Sequence, residues 1–273
     1  MYADLHIHST ASDGTLTPEV IVKLALEKNL SVISLTDHDT TDGIARALNS
    51  ARGTNLEVIP GVEINTDWED TEVHILGYYI DYHSQQLQQV LFEMRQARDL
   101  RAAKMIEKLK ELGISIDYEH VKKIAGRAPV GRPHIARAMV ECGHVKSIKE
   151  AFEGYLERGK PGYVPRTKMD PFTAISVIEK ASGIPVLAHP GLMERDSLIP
   201  ALVKKGLLGI EVFYPLHDQE MTEKYKWYCR KYAQVMTGGT DHHGPGTGYP
   251  MLGEVGVDQK SVENLKFLYS LLA

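Results

Sequence analysis

An α/β barrel interrupted by a helical insertion is the fold this sequence predicts, on three observations. Short apolar, β-branched runs alternate with segments of helical periodicity. About seven such strand–helix units are present, which suits a closed or distorted barrel better than a sandwich. Between about residues 84 and 168 the rhythm breaks, and charged helical segments follow one another with no convincing strand.

The strand candidates are 2–8, 31–36 (SVISLT), 56–64 (LEVIPGVEI), 73–80 (VHILGYYI), 184–188 (IPVLA), 208–213 (LGIEVF) and 234–238. Each is short and rich in Val, Ile, Leu or Tyr, residues that fit a pleated, buried surface. The first helix is expected over 18–29, where Thr17-Pro18-Glu19 places proline at the first helical position. Further amphipathic segments cover 41–52, 171–182, 194–205, 217–232 and 259–272. Alternation of this kind predicts a parallel sheet with helices packed outside it. The break opens with a long charged helix over about 84–112, stopped at Gly113. Helical segments at 117–125, 132–142 and 147–157 follow. The expected division is therefore a barrel of 1–99 and 168–273, with a helical insertion of 100–167 that shapes substrate access.

Composition excludes several classes. In 273 residues, 43% are hydrophobic and 25% charged, as in ordinary globular proteins and unlike disordered chains. A net charge of −5 argues against charge-driven binding to duplex DNA. Cys142 and Cys229, the two cysteines of the sequence, argue against a disulfide framework, which fits a reducing compartment. No apolar run spans a bilayer, and no basic stretch followed by an apolar one opens the sequence. Neither a membrane partner nor a signal peptide is expected, and the cytoplasm is the expected location.

The chemistry-bearing residues cluster at the expected strand ends. His6 and His8 close the first strand, two apart and so on one face. Asp13 follows in the loop, Asp37-His38-Asp39 end the second strand, and Glu63 ends the third. His74 sits on the fourth, His189 just after the fifth, Glu211 on the sixth, and Asp241-His242-His243 follow the seventh. The C-terminal face of a parallel barrel is where active sites assemble, so these groups should converge. Isolated histidines at 83, 120 and 144 read as surface residues, and His134 and His217 as intermediate cases.

Nine side chains form the expected ligand set: His6, His8, Asp13, His38, Glu63, His74, His189, Asp241 and His243. Three or four protein ligands per catalytic ion leave room for two or three divalent ions, bridged by a carboxylate such as Glu63. Histidine and carboxylate without cysteine suit Mn²⁺, Fe²⁺ or Zn²⁺. Such clusters hydrolyse phosphoesters with a metal-activated hydroxide.

Asp4-Leu5-His6-Ile7-His8-Ser9, Thr36-Asp37-His38-Asp39, Pro60-Gly61-Val62-Glu63, Ala188-His189-Pro190 and Gly239-Thr240-Asp241-His242-His243 resemble the successive motifs of the PHP (polymerase and histidinol phosphatase) family. The resemblance implies a distorted seven-stranded (β/α)7 TIM-like barrel with a trinuclear metal centre. It assigns one ion to His6, His8, Glu63 and Asp241, a second to Asp13, His38 and His243, and a third to Glu63, His74 and His189. Asp13 stands where many members carry histidine, which makes the second set harder and more anionic.

Ser12-Asp13-Gly14-Thr15 and the insertion resemble the bacterial branch that hydrolyses nucleotide phosphates. This implies release of the 3′-phosphate of nucleoside 3′,5′-bisphosphates, with 5′-to-3′ trimming of short RNA by some members. His189, His243 and Asp241 are the expected catalytic groups. Arg132, His134, Arg137, Lys160, Tyr163 and Arg166 are the expected substrate-binding groups, because guanidinium forks grip phosphate oxygens and a tyrosine ring can stack on a base. The competing expectations are a histidinol-phosphate or other small-molecule phosphatase, an amidohydrolase, and a non-catalytic binding module. An amidohydrolase commonly bridges its metals with a modified lysine at a strand end, and Glu63 occupies that role here. A binding module would have lost ligands, and none of the nine is lost.

Overall fold

The structure is a computed structural model that describes every residue except Met1, Asp70, Arg127, Pro129, Arg166, Thr167, Lys168 and Ala273. The chain divides into two compact units, Met1–Val90 with Lys168–Ala273, and Leu91–Thr167.

The first unit holds a sheet of seven strands in sequential order: β1 Ala3–Ile7, β2 Val32–Leu35, β3 Glu57–Trp68, β4 Thr71–Tyr78, β5 Ile184–Leu187, β6 Gly209–Phe213 and β7 Val235–Gly238. The expected strands are all present, but the sheet is not wholly parallel. β4 runs antiparallel to both β3 and β5. The cause is local, since Trp68 pairs directly with Thr71 and leaves no room for a crossover helix. β3 also runs four residues past the expected end, because Asn65, Thr66, Asp67 and Trp68 pair with β4 although they are mostly polar. The first and last strands nearly close the barrel. Ile7 bridges His242, and the His8 N–H donates to the His242 carbonyl at 2.9 Å.

Helices flank this sheet: α1 Pro18–Glu27, α2 Ile44–Ala51, α7 Pro171–Lys180, α8 Pro190–Met193, α9 Ile199–Lys205, α10 Gln219–Tyr232 and α11 Gln259–Leu272. Capping explains their starts. Thr17 accepts the Val20 N–H, Asp170 the Thr173 N–H, and Asp218 the Met221 N–H. A continuous helix over 194–205 does not form. Pro200 lacks an N–H and fits only in a first turn, so α9 begins at Ile199, after a short 3₁₀ turn at Asp196–Leu198. Ile21, Val22, Ala25, Ile33, Leu35 and Ala47 pack α1 and α2 onto the first strands.

The second unit contains most of α3 (Gln85–Glu111), α4 (Tyr118–Ala125), α5 (Arg132–Glu141) and α6 (Ile148–Ala151), the last running into a π-helical turn at Phe152–Leu156. Gly113 ends α3 at φ +82°, with the Ile114 N–H donating to Leu109 O. Met105, Leu109, Val121, Ile135, Met139 and Leu156 form this unit's own core. Its boundary falls at Leu91, nearer the start of α3 than the expected residue 100. No glycine or proline interrupts that helix, so nothing local in the sequence marks the division.

Candidate metal centre

Alternation along β1 sends Asp4, His6 and His8 to one face, all three fully buried. His6 Nε2 and His8 Nε2 stand 3.1 Å apart, and each is 3.2 Å from Glu63 Oε2. Asp241 Oδ1 lies 3.0 Å from His8 Nε2 and 3.4 Å from His6 Nε2. Two imidazoles and two carboxylates therefore aim at one point.

Glu63 connects this group to the rest. Its Oε2 is also 3.0 Å from His38 Nδ1, while Oε1 is 2.8 Å from His74 Nδ1 and 3.1 Å from His189 Nε2. Five imidazoles thus meet one buried carboxylate. His74 reaches it because β4 is antiparallel: the residue pairs with Asn65, two beyond Glu63, so it lies at the same end of the barrel. On a parallel fourth strand the same position would lie near the strand's start, away from that end.

Asp13 gathers a further group. Its Oδ1 is 3.3 Å from His243 Nε2 and 3.9 Å from His8 Nδ1, and its Oδ2 is 3.9 Å from His38 Nε2. The loop that delivers Asp13 is built by Asp37, which accepts from the Ser9 N–H, the Ser9 hydroxyl and the Ser12 hydroxyl, each at 2.7 Å. Gly14 is required there, since a Cβ would lie 2.4 Å from the His8 carbonyl oxygen.

Three sets of donor atoms result, each within 4.8 Å of one another: His6, His8, Glu63 and Asp241; His8, Asp13, His38 and His243; and His38, Glu63 and His74. The first matches the expected set. The second gains His8, and in the third His38 joins Glu63 and His74, with His189 on the same Glu63 oxygen as His74. All nine expected ligands are brought together. The residues fit divalent cations: the donors are nitrogen and oxygen only, and the buried His8 Nδ1 has no hydrogen-bond partner.

The electrostatics have the same sense. Burial alone would lower the His6 and His8 pKa values, but the facing carboxylates outweigh it. His6 is raised well above its ordinary value by Glu211, Asp241 and Glu63, and His8 to about 10 by Asp241 and Glu63. Burial dominates at His38, which falls to about 4. Burial would raise Glu63 and Asp241, but the surrounding imidazoles hold both well below the usual carboxylate range.

Supporting groups beyond the nine hold them in place. Glu211 Oε1 lies 3.0 Å from His6 Nδ1, and its Oε2 accepts the His189 N–H at 2.7 Å. Tyr214 donates its hydroxyl proton to Asp241 Oδ2 at 3.0 Å. Asp4 accepts from the Thr240 N–H and hydroxyl and the Gly253 N–H. Asp39 accepts twice from Asn65, whose amide nitrogen is 3.1 Å from His38 Nδ1. Asp39 and Asp241 sit at φ +53° and +54°, and His189 at +24°, conformations that side chains other than glycine adopt at a cost and that concentrate at functional sites. Asp4 had a signal in the sequence, two residues before His6 and so on its face. Tyr214 had none.

The expected substrate-binding residues belong to the second unit. Arg132 opens α5 with its guanidinium 5.7 Å from the Phe152 ring centre. His134 is buried, and its Nδ1 accepts the Gly131 N–H at 3.0 Å, so it caps the helix. Arg137 is half-buried on α5 and Lys160 is exposed. Tyr163 lies under the Arg101 guanidinium, 5.3 Å from its ring centre, and Arg166 lies outside the described residues. His217, in the first unit, donates from Nδ1 to Val212 O and accepts the Gly191 N–H at Nε2, a structural tie between β6 and α8.

A sequence profile of the PHP domain matches residues 4–157, more than half of the chain. The chain belongs to the PHP family. Its relatives include the 5′-3′ exoribonuclease Rnm of Escherichia coli strain K12, 44% identical over 190 residues that cover 69% of this chain and 65% of that protein. The match thus spans just under two thirds of that relative's length. A 3′,5′-nucleoside bisphosphate phosphatase of Chromobacterium violaceum is 34% identical over 251 residues, covering 90% of this PHP chain and 88% of the relative. Among solved structures, a candidate metal-dependent phosphoesterase from Bifidobacterium adolescentis superposes with a TM-score of 0.90 at 30% identity, covering 97% of this chain and 95% of the other.

Proposed function

We propose that this PHP protein is a metal-dependent phosphoesterase that removes the 3′-phosphate from nucleoside 3′,5′-bisphosphates and trims short RNA from its 5′ end. The observation that carries the reading is Glu63, one buried carboxylate shared by five imidazoles and common to two of the three donor sets. The nucleotide and RNA substrates are supported by what the two curated relatives are named for.

His6, His8, Glu63 and Asp241 would hold one divalent ion, Asp13, His38 and His243 with His8 a second, and Glu63 and His74 with His38 or His189 a third. Two or three ions of the Mn²⁺, Fe²⁺ or Zn²⁺ type supply Lewis-acid activation of water and neutralise charge on the phosphoryl oxygens. Glu211 fixes the ring of His6 and the backbone of His189, and Tyr214 fixes Asp241, so the donors keep their aim. Whichever of His189 and His243 holds no ion would instead protonate the leaving oxygen. In the second unit, Arg132 and Lys160 are the first choices for orienting substrate phosphates, on the strength of their charge. Two free cysteines suit a reducing compartment, and the cytoplasm is our assignment. No helix among the described residues is long and apolar enough to cross a membrane.

The test is elemental analysis of the purified protein coupled to a phosphate-release screen. Nucleoside mono- and bisphosphates, histidinol phosphate and 5′-phosphorylated RNA would be compared at saturating metal. Preference for the bisphosphates supports the proposal; turnover confined to histidinol phosphate would overturn the substrate assignment.

A further inference from the structure

The last nine residues of α10 read Lys224-Tyr225-Lys226-Trp227-Tyr228-Cys229-Arg230-Lys231-Tyr232. They hold four cations, four aromatic rings and no acid, in a chain whose net charge is −5. Tyr225 and Cys229 are buried against the barrel. Helical spacing then puts Lys224, Trp227, Tyr228 and Lys231 together on another face. Trp227 is 50% exposed. Its ring meets Tyr228 edge-on at 5.0 Å, and Tyr228 stacks with Tyr232 at 6.2 Å and 20°. Lys231 Nζ lies 4.5 Å from the Trp227 ring centre and 5.2 Å from that of Tyr232. Lys224 pairs with Asp196 and Lys226 with Glu223, so Arg230 and Lys231 are the cations of this run without an ion pair among the described residues.

A single exposed ring needs no explanation, but adjoining rings laced with cations are the composition of a platform for unpaired bases. Rings offer stacking to any base, and the cations follow the phosphates. The helix also starts in a suitable place. His217, just before it, has its ring 5.4 Å from Tyr214, whose hydroxyl bonds Asp241. Trp227 is ten residues farther along, roughly 15 Å at the helical rise. A mononucleotide held at the metal centre does not span that distance, and a strand of several nucleotides does.

We infer that the Trp227–Tyr228–Lys231 face of α10 binds single-stranded RNA outside the metal centre, holding the part of the strand that is not reacting. The inference rests on the proposed nuclease reading for its substrate. Face-to-face pairing of two copies would set these cations against one another, which favours a polyanion over an isologous second copy.

The experiment compares the metal-loaded wild type with W227A/Y228A and R230E/K231E. Fluorescence anisotropy measures binding of a single-stranded RNA of about twelve nucleotides, its linkages replaced by phosphorothioates. Phosphate release from a nucleoside 3′,5′-bisphosphate is followed in parallel. W227A/Y228A should weaken strand binding by about tenfold or more, and R230E/K231E should flatten its salt dependence, with bisphosphate turnover unchanged. Equal affinity in all three proteins overturns the inference, as does a wild type that binds no strand. A dimer of the wild type in sedimentation that W227A/Y228A dissociates also overturns it, by assigning the face to a second copy. Strand binding that depends on α10 while unmodified RNA survives intact would retain this surface and reject the exoribonuclease activity instead.

Discussion

Glu211 grips His6 through Nδ1 at 3.0 Å, leaving Nε2 of the same ring to face Glu63 and Asp241. The carboxylate fixes both the orientation of the imidazole and which nitrogen is presented. Replacing such a partner commonly lowers metal affinity 10–100-fold. Glu211→Ala should therefore show a loss of bound metal of about that size in competition with a chelator, while circular dichroism of the folded protein is unchanged. Full retention of metal would reduce Glu211 to a packing residue.

His8→Ala and Glu63→Ala should abolish phosphate release in a metal-replete assay and leave a folded chain. Each residue belongs to two donor sets, and Glu63 carries the larger expectation because five imidazoles share its carboxylate. Unchanged turnover in either variant would remove that residue from the centre.

Metal uptake should expel protons. In the ion-free protein the carboxylates raise His8 to about 10, so the ring is protonated at neutral pH and must deprotonate to bind a cation. Apparent affinity should rise with pH, and calorimetry in buffers of different ionisation enthalpy should detect the released proton. The same shift makes a stability statement. The ion-free fold gains from His8 ionisation fully below its ordinary 6.5, and loses that gain as pH rises toward about 10. Urea midpoints of the ion-free protein should fall across that interval, through this group.

Asp4→Ala should destabilise the barrel by about 3 kcal/mol, since it strands two buried donors of Thr240, at about 1–3 kcal/mol each, and a part-buried one of Gly253. Urea unfolding checks this, and a loss below about 0.5 kcal/mol would mean the loop finds other acceptors.

The two cysteines should behave differently toward a thiol reagent at mildly alkaline pH. Cys142 is exposed, whereas burial pushes the Cys229 thiol up to about 12. One thiol should react in the native protein and two after unfolding.

The convergence of most of the candidate ligands was legible because their signals are local. His6 and His8 share a strand face by alternation, and placement at or just after strand ends aligns His38, Glu63, His189, Asp241 and His243. Direction is not a local property, and this hid the antiparallel β4. Apolar runs look alike whichever way they run, and Trp68-Glu69-Asp70-Thr71 lacks the glycine that advertises a tight hairpin. The consequences of that turn, a lengthened β3 and the approach of His74 to Glu63, were hidden with it. Glu211 was visible as a strand residue, but its pairing with His6 across 205 positions needs the closed sheet. His134 was read as a binding residue from its neighbours, and the structure shows in addition that it caps the start of α5 through Gly131.

Barrel closure carries a consequence for the timing of maturation. His6 lies on β1 and His8 one residue past it, and Asp241, which completes their donor set, lies just beyond β7. On a ribosome the earliest strand emerges with its imidazoles long before the last, so a nascent chain displays a half-built chelator that no native contact yet shields. The first donor set can close only after synthesis has passed Asp241, so an ion bound there would be captured late and together with closure of the barrel.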